Sequence, residues 1–164
     1  MEGPPFLSAG ETNEGDLDEL SGILPRTAEF LLKEVSRLKK LNGREFGLEV
    51  SSIEVYCDTV KDLYGTGPEA NDLNLITVKD KVVIQGQTWK RVETLLEFLE
   101  YIKLSSRKRI FSSNGVNEHS SRSHHIFQVK IAGQNARYEQ FSSILNIIDL
   151  AGSERRSGMA NLQK

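Results

Sequence analysis

Two short stretches of the sequence carry residue types that can do chemistry. Asp149 closes an apolar run and is followed by Leu150, Ala151 and Gly152. In open α/β sheets ligands bind beyond the carboxyl ends of the strands, so a carboxylate there can hold Mg²⁺ directly or through water. A glycine just after it lets a backbone amide approach a phosphate oxygen with no Cβ in the way. Asp-x-x-Gly after a strand is also an ordinary turn, because both residues favour turns for local reasons. The second stretch is Asn117, Glu118, His119, Ser120, Ser121, Arg122, Ser123 and His124. Its hydroxyls, imidazoles and guanidinium offer many donors and few apolar anchors, so the segment can wrap a polyphosphate. A solvated serine-rich loop is the plainer alternative. A zinc site at His119, His124 and His125 would lack a cysteine and an obvious fourth ligand.

These residues need elements to position them. Leu24, Ala28, Leu31, Leu32, Val35, Leu38 and Leu41 recur at helical steps behind Pro25, which predicts an amphipathic helix over 25–41 stopped near Asn42-Gly43. From Phe46 the period becomes two. Phe46, Leu48 and Val50 share one phase and Ile53, Val55 and Cys57 the other, so a bulge at Ser51-Ser52 is expected within one long strand. Gly65, Gly67, Pro68 and Asn71 mark a loop, and 73–77 with 82–84 read as a small ribbon around Lys79-Asp80-Lys81. Val92, Leu95, Leu96, Leu99 and Ile102 predict a second helix over 91–104, ending in the basic patch Arg107-Lys108-Arg109. Phe127, Val129 and Ile131 alternate with polar residues, as in a strand with one wetter face, and Gly133 to Tyr138 read as the turn out of it. Ile144 to Leu150 is apolar in both phases, the pattern of a central strand covered on each side. Strands interleaved with helices indicate an α/β fold with a mixed sheet.

Composition bounds the function classes. The chain has 164 residues, 21 Lys and Arg against 23 Asp and Glu, and a formal net charge of −2. No global positive field points to nucleic acid or an anionic membrane. One cysteine, Cys57, excludes an intramolecular disulfide and fits a reducing compartment. The longest apolar run is far too short to span a bilayer, and Met-Glu-Gly-Pro-Pro lacks the start of a signal peptide. Residues 1–22 carry six Gly and Pro among acidic residues and read as a flexible loop or tail.

Taken together, Asn117 to His124 (NEHSSRSH) and Asp149 to Glu154 (DLAGSE) resemble switch I and switch II of a kinesin motor domain. Gly22 to Thr27 (GILPRT) resembles the start of that family's second major helix, and Val50 to Leu63 resembles its long strand. Arg109 falls the family's usual eight residues before the switch I Asn. The resemblance covers most of residues 20–158 and implies a partial P-loop NTPase fold, with a mixed central sheet flanked by helices, over 23–164. The spacing from Ile131 to Ile144, with Ile131-Ala132-Gly133, leans toward the C-terminal-motor, minus-end-directed class.

The resemblance also implies roles. Ser120 and Ser121 would contact the γ-phosphate and Mg²⁺, Asn117 would brace the nucleotide side, and Asp149 would hold the Mg²⁺ water shell. Gly152 would sense the γ-phosphate through its amide, and Glu154 would pair with Arg122 to close the site and orient the attacking water. ATP and Mg²⁺ are then the cofactors of the intact domain, and microtubules its partner in the cytoplasmic cytoskeleton, the spindle included. No nucleic-acid or membrane partner is implied, and a dimer would form through regions outside this chain.

The departures are as informative. No G-x-x-x-x-G-K-[ST] string is present, and Met1-Glu2-Gly3 resembles the residues directly after that loop in kinesins. The chain stops at Lys164, before the helices that carry most of the family's microtubule contact. Cys57 and Asp58 stand where Asn and Glu are usual, and Asn114 where Thr is usual. The expectation is therefore a motor section that binds no nucleotide on its own. The competing expectation is a non-catalytic kinesin-like module for tubulin binding or dimerisation.

Overall fold

The computed structural model describes residues 21–42, 46–111, 122–134 and 139–153. The elements run α1 (Ile23–Asn42), β1 (Phe46–Tyr56), β2 (Thr59–Asp62), a single 3₁₀ turn (Pro68–Asn71), β3 (Leu75–Val78), β4 (Lys81–Ile84), β5 (Lys90–Val92), α2 (Leu95–Phe111), β6 (His124–Gln134) and β7 (Gln140–Asp149). The main sheet has the order β2-β1-β6-β7, with β5 also paired to β1, and β3 and β4 form a separate ribbon. Every pairing among the described residues is antiparallel.

The eleven-residue β1 organises the sheet, and the expected bulge is absent from it. Its pairing with β6 runs unbroken from Phe46↔Gly133 to Val55↔His124. The change of phase at Ser51-Ser52 marks a change of which face is apolar. Leu48 and Val50 point toward the helices and pack with Leu24, Ala28, Phe98, Ile102, Phe127 and Val129. Ile53 points the other way, into a smaller cluster with Val60 and Leu73 that Val55, Ile84 and Ile126 border. Fully burying a Leu or Phe contributes about 1.5–3 kcal/mol, so the larger cluster is the main source of stability.

Two turns explain how the chain doubles back. Cys57 and Asp58 both have positive φ (47° and 63°), as do Lys79 and Asp80 (48° and 61°), the geometry of two-residue hairpin turns matched to strand twist. The Cys57-Asp58 pair is thus the β1–β2 hairpin turn, and β2 itself has no separate signal in the sequence.

The second helix starts later and runs further than its periodicity suggests. Thr94 Oγ1 accepts the Glu97 N–H at 3.2 Å, and Glu97 Oε2 accepts the N–H groups of Thr94 at 3.1 Å and Glu93 at 2.8 Å. This capping box fixes the start at Leu95. Its backbone hydrogen bonds, that of Glu93 first, hold the Glu97 carboxyl below the usual carboxylate range. Val92 belongs to β5 and is buried, while the helix continues through Arg107-Lys108-Arg109 to Phe111.

β7 departs most from expectation. Read as a covered central strand, it is an edge strand paired, among the described residues, only with β6. Ile144 is 50 % exposed, Ile148 51 % and Leu150 70 %. The double-phase apolar pattern records the covering such a strand is built to receive, and the described residues supply only part of it.

Candidate functional site

The β6–β7 hairpin sets the geometry. His125 pairs with Asp149, so the start of β6 and the end of β7 lie side by side at one end of the sheet. Arg122, exposed in the turn before β6, and Gly152, exposed just after β7, flank that same end. His124 Nδ1 accepts the backbone N–H of Ala151 at 3.1 Å, tying the two strand ends together one residue before Gly152. This bond leaves the proton of a neutral His124 on Nε2.

Beneath the surface lies a polar cluster in a position where the periodicity expects core. Ser52 and Glu54 on β1 share the helix-facing side with His125 on β6, and all three are fully buried, as is Ser123. Ser123 Oγ donates to Glu54 Oε1 at 2.7 Å, and Ser52 Oγ shares a 2.8 Å hydrogen bond with His125 Nε2. Arg109, near the end of α2, reaches both carboxylates. Its Nη1 donates to Asp149 Oδ2 at 3.4 Å, and its Nε lies at ion-pair distance, 3.8 Å, from Glu54 Oε1. Burial pushes the His125 imidazole down to about 4 from an ordinary 6.5; the charge of Arg109 adds to the shift and that of Asp149 opposes it. His125 is therefore neutral at physiological pH, with Nδ1 lacking a hydrogen-bond partner among the described residues.

α2 is anchored at this end. The Lys108 ammonium donates to the Gly65 carbonyl at 3.0 Å, and the Tyr64 hydroxyl donates to the Tyr101 carbonyl at 2.9 Å. Asp62 accepts the N–H of Tyr64 at 2.8 Å and of Thr88 at 2.7 Å, which pins the loop below. A Cβ at Gly65 would stand 2.6 Å from that of Ala70, so the close approach requires glycine.

Of the residues singled out from the sequence, Arg122, Asp149 and Gly152 are brought to one end of the sheet. Asn117, Ser120, Ser121 and Glu154 lie outside the described residues. The sequence patterns gave no role to Glu54, placed Ser52 only at an expected bulge, Ser123 only in the donor-rich stretch and His125 only in a zinc alternative, and read Arg109 only as part of a basic patch or a spacing match. The signal for Glu54 was legible in principle: it shares a face with Leu48 and Val50, and a carboxylate in a core phase demands a counter-ion.

Comparison with known proteins decides the family. The family model described as the kinesin motor domain matches residues 9–164. The chain belongs to the kinesin motor domain family. Mouse chromosome-associated kinesin KIF4 is 34 % identical over 154 residues, covering 92 % of this chain and 12 % of the mouse protein. Arabidopsis thaliana kinesin-like protein KIN-14M is 34 % identical over 160 residues, covering 87 % of this chain and 20 % of its own length. Carboxy-terminal kinesin 2 of Xenopus laevis is 29 % identical over 165 residues, covering 94 % of this chain and 23 % of the frog protein. Among solved structures, a fast kinesin described for its ATPase mechanism and interactions with microtubules superposes with a TM-score of 0.75 at 26 % identity, covering 89 % of this chain and 41 % of that one. This kinesin chain thus spans less than a quarter of those three relatives' length and under half of the solved structure. The α/β architecture agrees with that kinesin neighbour. The carboxy-terminal kinesin is matched at no higher identity than the chromosome-associated one, so these matches do not favour the C-terminal-motor class.

Proposed function

We propose that this chain is the switch-bearing section of an ATP-dependent microtubule motor. The supporting observation is the His125↔Asp149 register, which sets the two motif-bearing strand ends against each other. Within that reading Asn117, Ser120 and Ser121 contact nucleotide and Mg²⁺, Asp149 holds the metal's water shell, and the Gly152 amide senses the γ-phosphate. Arg122 and Glu154 pair to close the site and orient water. The donor set fits such a metal. Among the described residues no three His, Cys, Asp or Glu side chains group into a cage. Nucleotide-bound Mg²⁺ needs none, since it keeps several waters and takes one or two carboxylates plus phosphate oxygens. Asp149, its side chain 46 % exposed at the sheet end, is a donor of that kind. When bound, Mg²⁺ neutralises charge developing on the transferred phosphoryl group, while the protein groups position and polarise. Tubulin is the partner and the cytoplasmic cytoskeleton the setting; nucleic acid, membrane and dimer contacts within this chain form no part of the reading.

The phosphate loop is missing from the sequence, so the isolated chain is expected to show no ATPase above background. Microtubule-stimulated phosphate release from the purified chain would overturn that expectation. Joined to a phosphate-loop segment, the chain is expected to hydrolyse ATP, with Arg122→Ala and Glu154→Ala each abolishing stimulated turnover while sparing nucleotide binding. Their double variant should be no worse than either one, as for groups acting as a unit. Additive losses, or full activity in either single variant, would remove the gating roles. A second reading, a non-catalytic tubulin-binding or dimerisation module, makes a different prediction. Co-sedimentation of the chain with microtubules, or dimerisation, without nucleotide turnover after the loop is restored would select it.

A further inference from the structure

We propose that His124 is a positioning residue that ends the rigid part of the chain after β7 at Ala151, one residue before the amide taken to sense the γ-phosphate; the proposal rests on that reading of Gly152. The backbone ladder between β6 and β7 closes with His125↔Asp149. β7 itself stops at Asp149, and Leu150, Ala151 and Gly152 follow without regular structure. Past that point a side chain takes over the part of a ladder acceptor: the Ala151 N–H donates to His124 Nδ1 at 3.1 Å. His124 is the first residue of β6 and is itself paired with Val55 of β1. The bond therefore ties Ala151 to the middle of the sheet and not to another loop.

Where the bond falls matters more than its strength. Gly152 has the least restricted backbone of this stretch, since it carries no Cβ. With the Ala151 amide fixed, the Gly152 N–H can move only by rotation at Ala151 and beyond. With it released, the whole turn from Asp149 onward can swing, and the Gly152 amide is spread over a wider arc. A donor already held near its working direction costs less to order when an anion arrives. The acceptor position also defines the control. An asparagine carries its oxygen at the same δ position and can accept the same bond, whereas alanine offers no acceptor.

Two measurements test this. In the chain as it stands, hydrogen exchange at the Ala151 amide should quicken about two- to tenfold in His124→Ala, the worth of one neutral hydrogen bond, and slow again in His124→Asn. An exchange rate unmoved in His124→Ala overturns the proposal. In the chain joined to a phosphate-loop segment, His124→Ala should weaken binding of a non-hydrolysable ATP analogue by about the same factor while leaving ADP, which has no γ-phosphate, bound as before; His124→Asn should restore the analogue. Equal weakening of both nucleotides, or of neither, is what a merely structural histidine gives, and it overturns the proposal alone. Gly152→Ala that leaves the preference for the analogue over ADP unchanged overturns the sensing reading and the proposal with it, whereas a lost preference in Gly152→Ala without one in His124→Ala removes only the proposal.

Discussion

β6 and β7 are paired neighbours of nearly equal length, both rich in apolar residues and poor in charge, and they meet very different fates. β6 places Phe127 and Val129 at zero exposure, with the Phe127 ring stacked on Phe98 at 6.0 Å between centroids. β7 leaves Ile144 and Ile148 about half exposed and presents its outer backbone edge without a pairing strand among the described residues. A strand's residue types therefore state its intended environment, whereas burial is conferred by neighbours. The strand itself also carries few of the usual edge defences: between Gln140 and Ile148 there is no charge, no proline and no break in register.

The largest expected effect tests the inner strand. Phe127→Ala should cost about 3–5 kcal/mol in urea unfolding, because the side chain is fully enclosed, whereas Ile148→Ala should cost less than about 1 kcal/mol. Equal costs would erase the contrast. The next effect belongs to the polar half of the same strand. The folded His125 titrates near 4 and the unfolded one near 6.5, so between those values the unfolded chain binds more protons and stability falls as pH drops. Ser52, Glu54, Arg109 and Asp149 are the polar and charged groups around it. About 2–3 kcal/mol should be lost between pH 7 and pH 4.5 beyond the loss in His125→Gln, measured by paired urea titrations. Parallel pH profiles for the two proteins would mean that the imidazole is not held neutral. The smallest stability effect is at the edge: Ile148→Lys should change folding free energy by no more than about 0.5 kcal/mol. It should nonetheless reduce concentration-dependent self-association in sedimentation, since a lysine at an edge discourages strand pairing. Unchanged association would show that β7 is not the adhesive edge.

Local signals made much of this architecture readable. Helical spacing located α1 to within two residues at its start, alternation found β6, and the Lys79-Asp80 turn centred the ribbon. The α2 boundary was missed because periodicity counted Val92, while the Thr94-to-Glu97 capping box just beyond it carried the true start. The bulge was inferred from a phase change that a two-faced strand produces without one. At the candidate site, loop motifs revealed Arg122, Asp149 and Gly152. Its buried support stayed hidden, because Glu54, Arg109 and Asp149 lie far apart in sequence: the β1–β6–β7 register aligns the two carboxylates, and the packing of α2 brings Arg109 to both. Single-sequence patterns report the faces of elements and are silent on which distant faces meet.

The crossover at Ser51-Ser52 has a consequence for how this stretch can change length. Inserting or deleting one residue between Phe46 and Ser51 would turn Leu48 and Val50 away from the helices if the downstream pairing held. If the upstream pairing held instead, Glu54 would rotate into the space of Ile53 and Val55, an apolar cluster with no Arg109. Neither half can absorb the slip for the other, so β1 should have a fixed residue count wherever this arrangement is kept, and length variation should be confined to places such as the tip of the β3–β4 ribbon.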